Sequence, residues 1–224
     1  MLIVDYKRMP ETLNATECRI LGALVEKQLT TPEYYPLTLN ALVNACNQKN
    51  NREPVTSLTE SEVSNALDNL RDRNLVYVFY GSTSRVPKYK HMLPSFYELN
   101  DAETALIAVM LLRGAQTLGE LHGRTTRMHE FASLGEVQET LDGLTRRDDP
   151  LVIKLERLAG QKESRFAHLL SGPIDIEALA QAAPAPRASG GNERIDKLEN
   201  EIGTLRSELD ELKATLAEFQ KQFE

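Results

Sequence analysis

A block of this 224-residue chain is written twice, and that repetition narrows the folds open to it. Leu13-Asn14-Ala15-Thr16-Glu17 corresponds to Leu99-Asn100-Asp101-Ala102-Glu103. In each, Asn is placed to accept from the orphan N–H groups of a first helical turn, and the Glu three residues on can reach back to it. Apolar residues follow at helical spacing: Ile20, Leu21, Leu24 and Val25 in one block, Leu106, Ile107, Met110 and Leu111 in the other. A second helix is expected from near Leu37 and near Leu118, where Leu39-Asn40-Ala41-Leu42 aligns with Leu118-Gly119-Glu120-Leu121. A third opens at Thr59-Glu60-Ser61-Glu62-Val63 and at Ser133-Leu134-Gly135-Glu136-Val137. Its apolar stripe runs Val63, Ala66, Leu67 and Leu70, or Val137, Leu141 and Leu144.

Each third helix gives way to a β-rich run. Leu75-Val76-Tyr77-Val78-Phe79-Tyr80, a turn at Gly81-Ser82-Thr83-Ser84 and a return through Lys88-Tyr89-Lys90-His91-Met92-Leu93 predict a β-hairpin. So do Leu151-Val152-Ile153-Lys154-Leu155, Ala159-Gly160-Gln161 and Arg165-Phe166-Ala167-His168-Leu169-Leu170. The offset between matched residues drifts from 86 (Asn14 to Asn100) through 79 (Leu42 to Leu121) and 74 (Val63 to Val137) to 77 (His91 to His168). The drift is assigned to longer surface loops at residues 32–36 and 48–54 of the first copy, where insertions are tolerated.

Three helices and a hairpin, in that order, predict a helix-turn-helix core with a wing. The fold class is therefore mainly α with small β-hairpins (α+β). Two tandem winged-helix domains are expected at residues 1–98 and 99–173, with a flexible linker at 174–193 and a coiled-coil helix at 194–224. The linker is rich in Ala, Pro, Ser and Gly. In the tail, Ile195, Leu198, Ile202, Leu205, Leu209, Leu212, Leu216, Phe219 and Phe223 alternate spacings of three and four. Strict a/d spacing is narrower than an ordinary amphipathic stripe requires, so these residues predict a homodimer seam. The competing reading is a solvated helix folded back on the domains.

The net charge of −7 is unevenly spread. Residues 1–98 carry 11 basic and 11 acidic side chains, residues 99–173 carry 9 and 11, and residues 174–224 carry 6 and 11. Neither predicted domain has the positive balance typical of a duplex-DNA binder. No apolar run is long enough to span a membrane, and Asp5, Lys7 and Arg8 interrupt the opening residues, so no membrane association or signal peptide is expected. Two cysteines, Cys18 and Cys46, suggest a reducing compartment, hence a cytoplasmic protein, and both are expected as small buried apolar residues.

Several long stretches carry a family resemblance. They are Glu26-Lys27-Gln28-Leu29-Thr30-Thr31-Pro32-Glu33-Tyr34-Tyr35-Pro36-Leu37-Thr38-Leu39-Asn40, then Cys46-Asn47-Gln48-Lys49-Asn50-Asn51-Arg52, then Leu112-Arg113-Gly114-Ala115-Gln116-Thr117 with Gly123-Arg124-Thr125-Thr126-Arg127-Met128. On these the sequence resembles the YceH-like family of bacterial proteins over roughly residues 11–173. The resemblance implies tandem winged helices in a cytoplasmic protein and brings no catalytic residue to carry over.

The sequence has no phosphate loop, dinucleotide fingerprint or nucleophile elbow, so no enzyme and no cofactor are expected. His91 and His168 hold equivalent hairpin positions, which suggests a structural role in each wing. His122 and His129 lack the Cys, Asp or Glu that would complete a zinc shell, so no metal is expected.

In a winged helix the third helix enters the major groove and the wing reaches the phosphates. Asn65, Asn69 and Arg71 stand on the solvent side of the first third helix, with Asn suited to adenine edges. Glu60, Glu62, Asp68 and Asp72 on the same helix oppose phosphates. The remaining nucleic-acid candidates are Arg85, Lys88 and Lys90 in the first wing, Lys154, Arg157, Lys162 and Arg165 in the second, and Arg124 and Arg127 at the end of the second copy's second helix. The same residues are also what strand edges carry to prevent edge pairing. Two functions stay open: a DNA-binding regulator dimerised by its tail, and a scaffold whose winged helices bind a partner protein. The winged-helix pattern favours the first and the charge favours the second.

Overall fold

The computed structural model describes residues 12–80, 86–157 and 163–174, which belong to one compact unit. The predicted coiled-coil seam, the linker beyond residue 174, and Arg85 and Lys162 lie outside the described residues.

The element order repeats as the sequence does. The first copy runs α1 (Ala15–Thr30), β1 (Leu37–Thr38), α2 (Leu39–Cys46), α3 (Glu60–Asp72), β2 (Val76–Tyr80) and β3 (Pro87–His91). A short helix, α4 (Leu93–Tyr97), leads to the second copy: α5 (Asp101–Arg113), β4 (Gln116–Thr117), α6 (Leu118–Thr125), α7 (Leu134–Thr145), β5 (Val152–Leu155) and β6 (Arg165–His168). The chain is thus α+β, with helices and small antiparallel sheets.

The matched caps do the work expected of them. Asn14 and Asn100 each accept from the N–H of the Glu three residues on, and Glu17 and Glu103 each accept from the cap's own N–H, all at 2.9 Å. Thr59 and Glu62 form the same box. Ser133 accepts from Glu136 N–H at 3.3 Å, but the Glu136 carboxylate turns one residue further back, to Ala132 N–H.

One pairing went unread in the sequence. The two residues before each second helix form a strand that joins the hairpin, giving sheets ordered β1-β3-β2 and β4-β6-β5. Leu37 pairs with Tyr89 and Gln116 with Phe166. Both second helices therefore start at Leu39 and Leu118, with Thr38 and Thr117 as caps, rather than at Leu37 in the first copy. A two-residue strand carries no legible periodicity of its own, because its partner lies some 50 residues away. The return strands also end earlier than expected, at His91 and His168. After His91, Leu93 buries its side chain at the start of α4, where Pro94 lacks only an N–H that the first helical turn would leave unpaired anyway.

The core lies along α1 and α5, the matched first helices, which pack on each other and draw both copies into one apolar cluster. Both bury more than half their length, Glu17 to Val25 and Thr104 to Leu112. Gly22 sets their separation: a Cβ there would stand 2.8 Å from Leu112 Cγ and 3.1 Å from Leu111 Cβ. Backbone bonds cross the seam as well, from Leu13 N–H to the Leu170 carbonyl at 2.8 Å and from Glu53 N–H to the Leu112 carbonyl at 2.9 Å.

Candidate functional site

The sequence-predicted contacts separate into three groups in space. On α3, Asn65 and Asn69 are exposed, and so is Arg71, but its guanidinium lies 3.0 Å from Asp68 and 3.7 Å from Asp72. With Glu60 also in solvent, this helix presents more acid than base. On α7, Arg146 pairs with Asp142 at 3.5 Å and Glu139 is exposed, so the second third helix repeats the pattern.

The first hairpin presents a different surface. Alternate strand residues share a face, and residues opposite one another across a ladder do too. Tyr77 faces Lys90 and Phe79 faces Lys88 in the register. Tyr77 is 63% exposed, Phe79 47% and Tyr80 66%. Neither Lys88 nor Lys90 has an acidic partner among the described residues. Tyr77, Phe79, Lys88 and Lys90 thus form an aromatic-and-lysine patch on one face of the hairpin, with Tyr80 on the other. Its base is anchored by Tyr35, whose hydroxyl accepts from His91 N–H at 2.8 Å.

The second hairpin does not match it. Lys154 stacks over the Phe166 ring at 5.7 Å, and Arg165 is held by the Ala115 carbonyl at 2.8 Å and by Glu120 at 3.0 Å. Arg157 is exposed at the end of its strand. Arg165 therefore secures β6 to α6 and is not free for phosphate.

The third group contains the predicted Arg124 and Arg127, but the cleft they share with Lys27, Lys49 and Arg113 was not foreseen from the sequence. The cleft is open, with a volume of about 470 Å³. It lies between the copies: Lys27 and Arg113 hold matching places in the last turns of α1 and α5, Arg124 stands in the last turn of α6, and the linkers after α2 and α6 supply Lys49 and Arg127. Five cations line it, and the lone carboxylate among them, Glu26, is already taken. Arg52 grips Glu26 with two bonds, 2.6 and 3.1 Å, and donates also to the Ala45 carbonyl, the Asn51 carbonyl and Gln48 Oε1. Arg52 is 5% exposed although it stands in a loop read from sequence as a tolerant surface insertion. A loop arginine gives no sign in sequence that it will be buried, because burial depends on carbonyls and a carboxylate supplied by two helices. Burial, and then the charges of Arg124 and Arg52, push the Arg113 guanidinium below its ordinary value.

The titratable groups elsewhere are quiet. Burial pushes the Cys18 thiol up to about 11 and Cys46 to about 12, so both stay protonated and unreactive at neutral pH. Burial holds His91 and His168 down at about 4, which keeps them neutral in the hairpin bases. No group of three His, Cys, Asp or Glu side chains able to hold a metal ion occurs among the described residues. No helix there is long and apolar enough to cross a membrane.

The fold defines a protein of repeated modules, each of three helices and a small antiparallel sheet. Residues 13–161 match the family described as "Protein of unknown function, DUF480", and the chain belongs to it. The UPF0502 protein of Geobacter sulfurreducens is 51% identical over 216 residues, covering 95% of this chain and 98% of its own. That of Pelobacter propionicus is 47% identical over 220 residues, covering 96% and 100%. The UPF0502 protein YceH of Salmonella schwarzengrund is 46% identical over 215 residues, covering 94% and 100%. The YceH-like resemblance seen in the sequence is thereby established over most of the chain.

Proposed function

We propose that this is a cytoplasmic, non-enzymatic binding protein built from two tandem winged helices, paired by its tail, which holds duplex DNA through the wing of its first domain. The supporting observation is the first hairpin: Tyr77 and Phe79 exposed, with Lys90 and Lys88 opposite them and no acidic partner among the described residues. Lysines placed this way suit phosphate contacts, and the aromatic rings add apolar surface beside them. The three-stranded sheet, with a short strand before each second helix, is the arrangement a winged helix requires. Two buried free thiols suit a reducing compartment.

The acidic faces of α3 and α7 set the mode. Carboxylates repel phosphates, so neither third helix reads bases in the usual way, and contact is wing-led and largely independent of sequence. The same acid supports a second reading, in which the exposed Tyr77, Phe79 and Tyr80 anchor a partner protein, since aromatic residues are enriched at such interfaces.

Titration of the full chain against mixed-sequence duplex DNA at several salt concentrations separates the two. DNA binding predicts that Lys88→Gln with Lys90→Gln weakens affinity on every sequence and lowers the salt slope by about 2, roughly 0.9 per phosphate contact. Absence of salt-sensitive affinity in the parent chain at low ionic strength rejects the DNA reading and leaves the protein-docking one.

A further inference from the structure

We propose that the cleft between the two copies is a binding site for a small multivalent anion of the organic-phosphate class. Positive charge is concentrated there against the trend of the molecule, which is acidic overall. Five lysine and arginine side chains border one cleft, and its single carboxylate is occupied by Arg52.

Part of this charge has a local explanation. Lys27, Arg113 and Arg124 stand in last turns of their helices, where a cation offsets the negative end of the helix dipole. Lys49 and Arg127 lie outside any helix, so the dipole does not account for them. Nor are the helix-end cations neutralised. Arg124 shares Glu120 with Arg165, and its Nη1 is buried without a hydrogen-bond partner. Arg113 donates to a neutral acceptor, Asn51 Oδ1, and makes no ion pair among the described residues, although Glu53 and Glu26 attract its charge from further off.

Neutral donors complete the lining. Arg52 occupies the Gln48 side-chain oxygen at 3.1 Å, which leaves the Gln48 NH2 to donate, and Asn50 stands beside it. Guanidinium groups match phosphate oxygens in pairs, and several crowded cations are relieved most by a ligand carrying two or more negative charges. The volume of about 470 Å³ suits a nucleotide-sized or sugar-phosphate-sized molecule rather than a single inorganic ion. Such a ligand would touch residues of both copies at once.

The test is thermal unfolding and calorimetry of the full chain with inorganic pyrophosphate, against sodium chloride at equal ionic strength. Saturable binding is expected, with a dissociation constant below about 1 mM and a rise in Tm that follows occupancy. Lys49→Gln with Arg127→Gln, two exposed positions whose loss leaves the core intact, should weaken it at least about tenfold. Lys88→Gln with Lys90→Gln should leave it unchanged, which keeps this site's failure distinct from that of the wing. Three results overturn the proposal: no saturable binding, binding indifferent to the Lys49 and Arg127 changes, or displacement of pyrophosphate by duplex DNA, which would assign these cations to a nucleic-acid backbone.

Discussion

Replacing Arg52 with Met should cost this fold more than any other single polar change among the described residues. The Arg52 side chain is fully buried and the Glu26 side chain is only 12% exposed. The guanidinium satisfies that carboxylate twice and also the carbonyls of Ala45 and Asn51. Met fills a similar volume but donates nothing, so a buried carboxylate and two carbonyls lose their partners together. Breaking a buried pair from one side costs about 3–5 kcal/mol. For a unit of this size that lowers Tm by roughly 6–20 °C. Urea unfolding followed by far-UV circular dichroism gives the figure directly, as a lower midpoint at unchanged slope. The companion variant, Glu26→Leu with Arg52→Met, should recover most of the loss, because replacing both charges with apolar groups is often close to neutral. A loss under about 1 kcal/mol for Arg52→Met, the size of an exposed ion pair, would show that this pair does not hold the loop to α1.

Gly22 and Gly143 should respond in opposite directions. Gly22→Val places atoms against Leu112 and Leu111 and should destabilise by about 2–3 kcal/mol, whereas Gly143→Ala in α7 meets open space and should stabilise by about 0.5–1 kcal/mol. Equilibrium denaturation of the two variants checks both signs. His91 titrates near 4 when folded and near 6.5 when free, so the unfolded chain takes up its proton first as pH falls. Its contribution is complete above about pH 6.5, declines through that window and is gone below about pH 4, a loss of about 3 kcal/mol. His91→Gln should flatten the acid limb of a Tm-against-pH curve, with His168 leaving a residual slope.

The sequence by itself determined the repeated module, because that module is held by local rules. Asn14 and Asn100 cap their own helices, the stripe at Val63, Ala66, Leu67 and Leu70 marks one buried face, and the β-rich run from Val76 to Tyr80 forms a strand. Tertiary structure alone decided what these modules do to one another. Nothing local announces that Gly22 lets α1 lie against α5, or that Leu37 and Gln116 become strands by pairing some 50 residues away. The same holds for function. Basic residues could be picked out one by one, but whether each was free depended on neighbours distant in the chain. Glu120 claimed Arg165 and only part of Arg124, Asp68 and Asp72 claimed Arg71, and Lys88 and Lys90 were left without an acidic partner among the described residues. The cationic cleft exists only because two copies of one module meet, since a side chain's charge is written in the sequence while its company is set by packing.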